Sequence, residues 1–254
     1  MKRKYLFFDI DGTLTTHNPG GIIPQSTLDT LKKLKANGHF VAIATGRAQF
    51  FSLDFANQAG IDNIVSDGGN GLTLNGELID IEPLNRDLAL EIIDEISSKN
   101  FNIYISIDNS ADLYTNTGNS SFKHYSNVIV DPELDFHKQE KIFKIFVEMT
   151  IEQEKQFEIL NKVSYVRYHP ESIIIEPDDK FKGISKVMNY LNAPLEDVVV
   201  FGDGKNDYSM FKKAPFSIAM GNAIDELKEI ASFITKSSND DGIEYACRHF
   251  GWID

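Results

Sequence analysis

The segment Tyr5–Leu14 places two carboxylates directly after a buried strand. It reads YLFFDIDGTL, in which the apolar run Tyr5–Phe8 is followed by Asp9 and then by Asp11. A strand that is covered on both faces reads as a continuous apolar run, which is typical of parallel sheets. Open α/β sheets bind their ligands at the carboxyl ends of the strands. The segment therefore predicts a parallel α/β sheet with Asp9 at its functional edge and a turn at Gly12.

Two neighbouring carboxylates have three interpretations at this point. Asp9 and Asp11 could hold a hard cation, or they could divide the roles of nucleophile and proton donor. They could also do no more than cap a turn, as aspartates often do. A calcium loop of the EF-hand type is disfavoured because it needs a preceding helix and a rhythm of ligands that Leu14 and His17 interrupt.

Composition excludes several classes of function. The 254 residues carry a formal charge of -13, from 25 basic and 38 acidic residues. General binding to nucleic acid or to an anionic membrane needs a basic face, so neither partner is expected. An anionic substrate would need a local positive centre, such as a metal ion.

Cys247 is the single cysteine of the chain, which excludes an internal disulfide framework and a cysteine-rich zinc site. In an amphipathic segment it is expected to be a packing residue. The apolar run before Asp9 is too short for a signal peptide or a membrane span, so the cytoplasm is the expected compartment.

The pattern along the chain predicts a core that is interrupted by an insertion. Buried strands alternate with helices in the first and last parts, as in a Rossmann-like parallel-sheet domain. From about Pro83 the pattern changes to short strands mixed with helices, which indicates an α+β module inserted at a loop. The predicted division is therefore a core of residues 1–82 and 181–254 with an inserted domain of residues 83–180.

The predicted elements follow from apolar periodicity and turn residues. A polar stretch and a charged linker are expected over residues 116–141. Asn75-Gly76 is expected to be the turn of a hairpin. Strands are predicted at 5–8, 40–44, 64–66, 103–107, 142–149, 165–168, 172–175, 197–201, 216–220 and 233–235. Helices are predicted from Pro24 and Ser26 to Asn37-Gly38, after Arg47, over 88–96, 152–160 and 182–191, in the segments that end at 211 and 231, and over 243–250.

Polar groups follow three of the core strands, so they are expected to converge on one edge of the sheet. Where a strand leads through a Thr-Gly turn into a helix, the threonine hydroxyl and the free backbone N–H groups can bind a phosphoryl oxygen. Such a threonine is, however, often only the N-cap of the helix. The residues concerned are Asp9 and Asp11, then Thr45, Gly46 and Arg47, then Asp203, Asn206 and Asp207, with Lys182 before the last of these strands.

These motifs occur in the order found in the haloacid-dehalogenase-like (HAD) superfamily, which the chain resembles over essentially its whole length. Two motifs nearer the C-terminus, Met-Gly-Asn-Ala and Asp-Gly, resemble those of the Cof-type phosphatase branch. Members of this branch carry a C2B-type cap. The motifs are Asp9–Thr13, Thr45–Arg47, Lys182-Gly183, Gly202–Asp207, Met220–Ala223 and Asp241-Gly242.

The resemblance implies a Mg²⁺-dependent phosphatase that works through an aspartyl-phosphate. Asp9 would be the nucleophile, and Asp11 would protonate the leaving alcohol and then activate water. The Mg²⁺ ligands would be the carboxylates of Asp9 and Asp203 and the backbone carbonyl of Asp11. Asp207 would orient Lys182 or a metal-bound water. The groups implied to surround the phosphoryl oxygens are Ile10, Thr45, Gly46, Lys182 and Asn206.

The physics of phosphoryl transfer agrees with that set. A phosphate monoester is an anion that a carboxylate nucleophile repels, so a metal ion and a lysine must neutralise the pair. The transfer then needs mainly positioning and charge stabilisation, which several fixed donors supply.

One motif departs from the branch it resembles. Cof-type relatives usually carry Asn-Gly-Ala after the third strand, whereas this chain has Asp67-Gly68-Gly69. The departure lies near the junction with the inserted domain, so hinge or substrate details are expected to differ there.

The expected substrate is a small phosphorylated metabolite such as a sugar phosphate, with the inserted domain as a lid over the site. Two alternatives stay open from the sequence: a phosphomutase of the phosphomannomutase type and a non-catalytic sensor of a phosphorylated metabolite. The oligomeric state is not predicted.

Overall fold

A computed structural model describes residues 2–17, 19–117 and 127–254. Residues 118–126 of the predicted polar stretch therefore lie outside the described residues. The chain forms two compact units, one of residues Met1–Ile81 and Asp179–Asp254 and the other of Glu82–Asp178. The second boundary falls just before Asp179, so Lys180 lies in the core unit, although the sequence division assigned it to the inserted domain.

The strands and helices follow the alternation expected for an α/β core with an α+β insertion. In chain order the strands are β1 Tyr5–Phe8, β2 Phe40–Ala44, β3 Ile64–Ser66, β4 Gly71–Leu74, β5 Glu77–Ile81, β6 Ile103–Ser106, β7 Asp112–Thr115, β8 Asn127–Val130, β9 Lys144–Glu148, β10 Tyr165–His169, β11 Ser172–Ile175, β12 Val198–Gly202, β13 Ser217–Ala219 and β14 Phe233–Ile234. The helices are α1 Gln25–Ala36, α2 Gln49–Ala59, α3 Arg86–Ser97, α4 Ile151–Glu154, α5 Lys180–Tyr190, α6 Tyr208–Lys213, α7 Asp225–Ile230 and α8 Gly242–His249.

The core is an eight-stranded sheet with the order β14-β13-β12-β1-β2-β3-β4-β5. The strands from β14 to β3 pair in parallel, and β4 and β5 add an antiparallel hairpin at one edge. Asn75 and Gly76 form its turn with φ values of 51° and 80°, which confirms the hairpin expected from these residues.

Two apolar clusters cover the two faces of the core sheet. Phe8 and Phe201 lie in one cluster, and Phe7 and Val200 lie in the other, because successive strand residues point to opposite faces. This burial on both sides accounts for the continuous apolar runs of β1 and β12. Among the described residues, no helix combines the length and the apolar character that crossing a membrane requires.

The inserted domain has a six-stranded sheet with the order β10-β11-β9-β6-β7-β8. Its pairs are antiparallel except for β7 with β8. Helix α3 buries its apolar side in a cluster with β6, β9 and β11, and this cluster forms the core of the inserted domain.

Two parts of the inserted domain differ from the sequence prediction. Strand β8 falls where a polar stretch and linker were expected, and β7 falls just before it, where no element was predicted. Short, half-exposed strands with polar residues lack a clear apolar alternation. The helix expected over 152–160 divides into the short α4, which Thr150 begins with a capping box, and a 3₁₀ segment Glu158–Lys162. Phe157 turns inward between them and packs edge-on against Phe101.

The register of the core sheet brings the predicted strand ends together. Phe8 lies opposite Ile43 of β2 on one side and Phe201 of β12 on the other. The residues that follow these three strands therefore meet at the same edge, as expected for the carboxyl ends of parallel strands.

Candidate active site

Asp9 lies at the centre of this edge, where β1 ends. Its N–H donates to the carbonyl of Phe201 at 3.1 Å, and its own carbonyl accepts from Leu14 N at 3.2 Å. The chain between Ile10 and Leu14 thus folds into a tight loop directly after the strand. The side chain is buried, with 3% of the residue exposed. A carboxylate in this position is held by the sheet and has little freedom.

The loop after Asp9 approaches the end of β12 so closely that one position must be glycine. Gly12 has φ of 81°, and a Cβ atom placed there would lie 2.2 Å from Asp203 Oδ2. Asn222 Nδ2 donates to the Gly12 carbonyl at 2.8 Å, and Thr13 Oγ1 donates to Asp203 Oδ1 at 2.9 Å. The loop therefore fixes Asp203 beside Asp9.

Lys180 joins two of the buried carboxylates. Its ammonium Nζ lies 2.6 Å from Asp9 Oδ1 and 2.6 Å from Asp207 Oδ1. It is the first residue of α5, whose N-cap is Asp179, and it is fully buried. A buried lysine is stable only when it is paired, and here both partners come from strand ends that are distant in the sequence.

Asp207 organises the loop that carries Asp203. Its Oδ2 accepts from the N–H of Asp203 at 2.9 Å and from that of Gly204 at 3.0 Å, while its other oxygen faces Lys180. A Cβ atom on Gly202 would lie 2.6 Å from the Asp207 carboxylate, so the end of β12 needs a glycine. Asp207 thus connects the position of Asp203 to that of Lys180.

The protonation of this cluster follows from burial and like charge. Burial raises the pKa of Asp9 well above its ordinary value, and the neighbouring carboxylates act in the same direction against the attraction of Lys180. Burial and the charge of Asp207 raise the pKa of Asp203 to about 7. For Lys180, burial disfavours the charged form, but Asp207 and Asp9 outweigh it and the pKa rises. The single positive charge of Lys180 cannot balance the three carboxylates of Asp9, Asp203 and Asp207 when all three are ionised.

The residues present fit a divalent cation. Ligand atoms of Asp9, Asp203 and Asp207 lie within 4.8 Å of one another, and all three side chains are buried. Lys180 donates to Oδ1 of Asp9 and Thr13 donates to Oδ1 of Asp203, so the second oxygen of each carboxylate is the one suited to a cation. Hard cations such as Mg²⁺ prefer carboxylate oxygens, and an added cation would relieve the excess negative charge.

Asp11 is held away from this cluster by an arginine. Arg47 Nε donates to Asp11 Oδ2 and Arg47 Nη2 donates to Oδ1, both at 2.7 Å, and Gly20 N donates to Oδ1 at 2.7 Å. Burial alone would raise the pKa of Asp11, but the hydrogen bonds from Arg47 and Gly20 outweigh it and hold the pKa below its ordinary value. The guanidinium also lies over the ring of Phe55, 4.7 Å from its centroid.

The remaining predicted phosphate-binding groups lie around the same edge. Ile10 follows Asp9 directly, and Asn206 is half-buried in the 3₁₀ turn Lys205–Asp207. Thr45 is buried after β2, and its Oγ1 accepts from Arg47 N at 3.1 Å. Gly46 is half-buried beside it. The structure thus places these residues at strand ends that the sheet register brings together.

Lys182 takes a different place from the one expected. Its Nζ donates to Asn70 Oδ1 at 3.0 Å, whereas Lys180 contacts Asp9. Sequence reasoning missed Lys180, although the helical spacing contained the signal. Residues three and four apart share a face, and Lys180 falls in register with the apolar positions of the helix. The buried residues of α5 are Lys180, Gly183, Ile184, Val187 and Met188.

The fold and the site define an α/β enzyme with a buried carboxylate–lysine cluster at the carboxyl edge of a parallel sheet. The family model of the haloacid dehalogenase-like hydrolases matches residues 6–246. The chain therefore belongs to this hydrolase family.

Its relatives include several phosphatases. The protein named as the phosphatase YkrA of Bacillus subtilis is 31% identical to this chain, and the match covers 100% of both chains. The 5-amino-6-(5-phospho-D-ribitylamino)uracil phosphatase YwtE of Bacillus subtilis is 27% identical over 95% of this chain and 96% of its own. The structure of BT4131, described as a HAD subclass IIB sugar phosphatase, is 27% identical with a TM-score of 0.78, covering 98% of this chain and 100% of BT4131. These similarities support a phosphatase activity for this chain.

Proposed function

We propose that the protein is a Mg²⁺-dependent phosphatase that hydrolyses small phosphorylated metabolites through an aspartyl-phosphate. The observation that carries this proposal is the placement of Asp9. It is a buried carboxylate at a strand end, with Lys180 at 2.6 Å and two further carboxylates within reach of one cation. Such a site can accept a dianionic phosphate only when positive charge offsets the carboxylates.

In the first step, a carboxylate oxygen of Asp9 attacks phosphorus, and the bond from phosphorus to the ester oxygen breaks. The leaving alkoxide takes a proton from Asp11. In the second step, Asp11 removes a proton from water as the water oxygen attacks phosphorus. Phosphate leaves, and the carboxylate of Asp9 is restored.

Asp11 must be protonated before it can act as an acid. In the structure its carboxylate is paired with Arg47, which stabilises the ionised form. Proton uptake by Asp11 is therefore coupled to loss of at least part of this ion pair. The incoming phosphate dianion is a chemically matched competitor for the guanidinium.

Mg²⁺, held by Asp9, Asp203 and the backbone carbonyl of Asp11, would supply the charge neutralisation that transfer between two anions requires. Thr13 holds the Asp203 carboxylate for this role through its hydroxyl. Asp207 anchors the Asp203 backbone and shares Lys180 with Asp9.

We assign to Lys180 the role that the sequence motif gave to Lys182. Lys180 orients Asp9 and offsets its charge, because its ammonium contacts the carboxylate directly. The donors proposed to surround the phosphoryl oxygens are then the N–H groups of Ile10 and Gly46, the hydroxyl of Thr45, the amide of Asn206 and the ammonium of Lys180.

The proposed substrate class is a phosphorylated sugar or sugar alcohol. The names of BT4131 and YwtE describe enzymes that act on substrates of this kind. The inserted domain would serve as the lid that excludes water and recognises the leaving group.

A panel of phosphorylated metabolites tests this proposal. Phosphate release is measured with Mg²⁺ and again with EDTA for sugar phosphates, sugar-alcohol phosphates, nucleotides and phosphoamino acids. We expect release with Mg²⁺ only, and the highest kcat/KM for a sugar or sugar-alcohol phosphate. Equal rates in EDTA would contradict the metal requirement, and a preference for nucleotides or phosphoamino acids would contradict the substrate class.

A further inference from the structure

The loop Asp67–Gly69 contacts the two segments that carry proposed phosphate-binding groups. On one side, Asp67 N donates to the carbonyl of Arg47 at 2.8 Å, and Gly68 N donates to that of Thr45 at 3.2 Å. On the other side, the Gly68 carbonyl accepts from Asp179 N at 2.9 Å, directly before α5. One short loop thus joins the turn after β2 to the first turn of α5.

The contact with α5 is closer than any side chain at residue 69 would allow. Gly69 has φ of 105°, and a Cβ atom there would lie 2.1 Å from the Asp179 carbonyl oxygen and 3.1 Å from Lys180 Cα. The clash would be with backbone, so rotating a side chain could not relieve it. The first turn of α5 would have to move instead.

A second glycine forms the other side of the same contact. A Cβ atom on Gly183 would lie 2.8 Å from the Gly69 carbonyl oxygen and 2.4 Å from Val65 Cγ1. Gly183 lies within α5, where alanine is intrinsically the better helix former. The two glycines together allow α5 to lie directly on the loop.

This contact bears on Lys180 because Lys180 is the residue that the first turn of α5 carries into the site. Its ammonium lies 2.6 Å from one oxygen of Asp9 and 2.6 Å from one of Asp207. A shift of the helix start by about 1 Å would break one or both contacts, since hydrogen bonds fail beyond about 3.5 Å. Lys180 is fully buried, so its side chain has little room to compensate for such a shift.

We infer that the contact between Gly69 and Gly183 is a positioning element that sets Lys180 against Asp9. The inference rests on the proposed function, in which Lys180 orients the nucleophile. It also gives a physical reason for Asp67-Gly68-Gly69 in place of Asn-Gly-Ala, because alanine at residue 69 would collide with Asp179.

Asp67 completes the loop. Its φ of 50° is tolerated well by aspartate, and its Oδ2 accepts from Gln49 N at 3.1 Å at the start of α2 and from Ser66 Oγ at 2.8 Å. The loop is therefore fixed at its own start before it contacts α5.

The test compares Gly183→Ala and Gly69→Ala with Gly76→Ala. Gly76 has φ of 80°, but no atom lies within 4 Å of the position that a Cβ would take there, so it controls for backbone strain without a clash. We expect kcat to fall about 100-fold in both contact variants, as for a misplacement of about 1 Å, and to stay near the wild-type value in Gly76→Ala. Because Gly183 has ordinary helical φ, Gly183→Ala tests the contact even if Gly69→Ala does not fold.

Combination with Lys180→Ala shows whether the glycines act through Lys180. If they do, the double variant Gly183→Ala/Lys180→Ala has the kcat of Lys180→Ala alone. Wild-type kcat in Gly183→Ala, or additive losses in the double variant, would overturn the inference.

A crystal structure of Gly183→Ala separates this inference from the proposed function. We expect Lys180 Nζ to leave hydrogen-bond distance of Asp9 Oδ1. An unmoved ammonium would overturn the positioning role whether or not the wild-type protein is a phosphatase. Absence of phosphatase activity in the wild type, with the ammonium displaced in the variant, would instead overturn the proposed function alone.

Discussion

The ammonium of Lys180 lies 2.6 Å from a carboxylate oxygen of Asp9, and both side chains are buried. The residues are 171 positions apart in the sequence and meet because β1 and the start of α5 reach the same edge of the core sheet. A second carboxylate, that of Asp207, shares the same ammonium at 2.6 Å. This triad connects the proposed nucleophile to the loop that carries Asp203.

Replacing Lys180 should therefore have a much larger effect than replacing Lys182. We expect Lys180→Ala to lower kcat by about 100-fold or more, as when a preorganised charge-stabilising donor is removed. It should also lower the unfolding free energy by about 3–5 kcal/mol, because two buried carboxylates lose their partner. Lys182→Ala is the matched control from the same helix, since its ammonium contacts Asn70. Steady-state kinetics well below the unfolding temperature measure both variants, and a larger loss of kcat in Lys182→Ala would contradict the assignment.

The metal-free protein should lose stability as pH rises from about 4 to about 7. The pKa of Asp203 is raised from 3.8 to about 7, so the folded state binds this proton more tightly than the unfolded state does. Its contribution is fully present below 3.8 and is lost as pH rises through 7. Thermal unfolding in EDTA across this range should show the decrease, and Mg²⁺ should oppose it. The control Asp203→Asn should show a smaller decrease, because the raised pKa of Asp9 still contributes a slope of the same sign. A slope as steep as that of the wild type in this variant would contradict the account.

The ion pair between Asp11 and Arg47 should stabilise the protein only when Asp11 is ionised. Because its pKa is lowered from 3.8, the contribution is present above that value and is lost as pH falls through the lower folded-state pKa. We expect Arg47→Met to reduce the unfolding free energy by about 1 kcal/mol at neutral pH, and by less in strong acid.

Urea unfolding at several pH values measures this difference. Arg248→Met is a useful control, because it removes an exposed pair with Glu244 on α8 and should have a smaller effect. A loss in Arg47→Met that does not depend on pH would indicate packing against Phe55 and not the ion pair.

Cys247 should react with a thiol reagent only after the core unfolds. It is buried in the same apolar cluster as Phe8 and Phe201, and burial raises the pKa of its thiol. Both effects suppress the reactive thiolate. We expect a disulfide-exchange reagent to label Cys247 at the rate at which the protein unfolds, so that the labelling rate rises with the urea concentration. Immediate labelling of the native protein would contradict the packing role.

Much of the core could be predicted from the sequence because burial on both faces leaves a strong signal. The apolar runs of β1, β2 and β12 give the strands, and the polar residues at their ends give the functional edge. The hairpin turn at Asn75-Gly76 was also predicted, since both residues favour positive φ.

The inserted domain was harder to predict because its strands are short and partly exposed. Strand β8 has no fully buried residue, and α4 spans a single turn. Without a buried stripe, apolar periodicity does not distinguish such segments from a linker.

The candidate site shows the same limit at the level of single residues. Asp9, Asp11 and Asp203 are named by their motifs, but two lysines stand at the start of α5. The lysine beside glycine matches the motif better, whereas helix register and the contact with Asp207 identify Lys180 as the buried one. The contact between Lys180 and Asp207 joins residues that are distant in the sequence, so it depends on the fold and leaves no local signal in the sequence. The bond between Asp11 and Arg47 is of the same kind.

The most direct test of the central claim is phosphate release from p-nitrophenyl phosphate by the wild-type protein and by Asp9→Asn, each with Mg²⁺. The substitution keeps the size of the side chain and removes its nucleophilic carboxylate. We predict release by the wild type and none above background by Asp9→Asn. Equal release by the two proteins would contradict the assignment of Asp9 as the nucleophile.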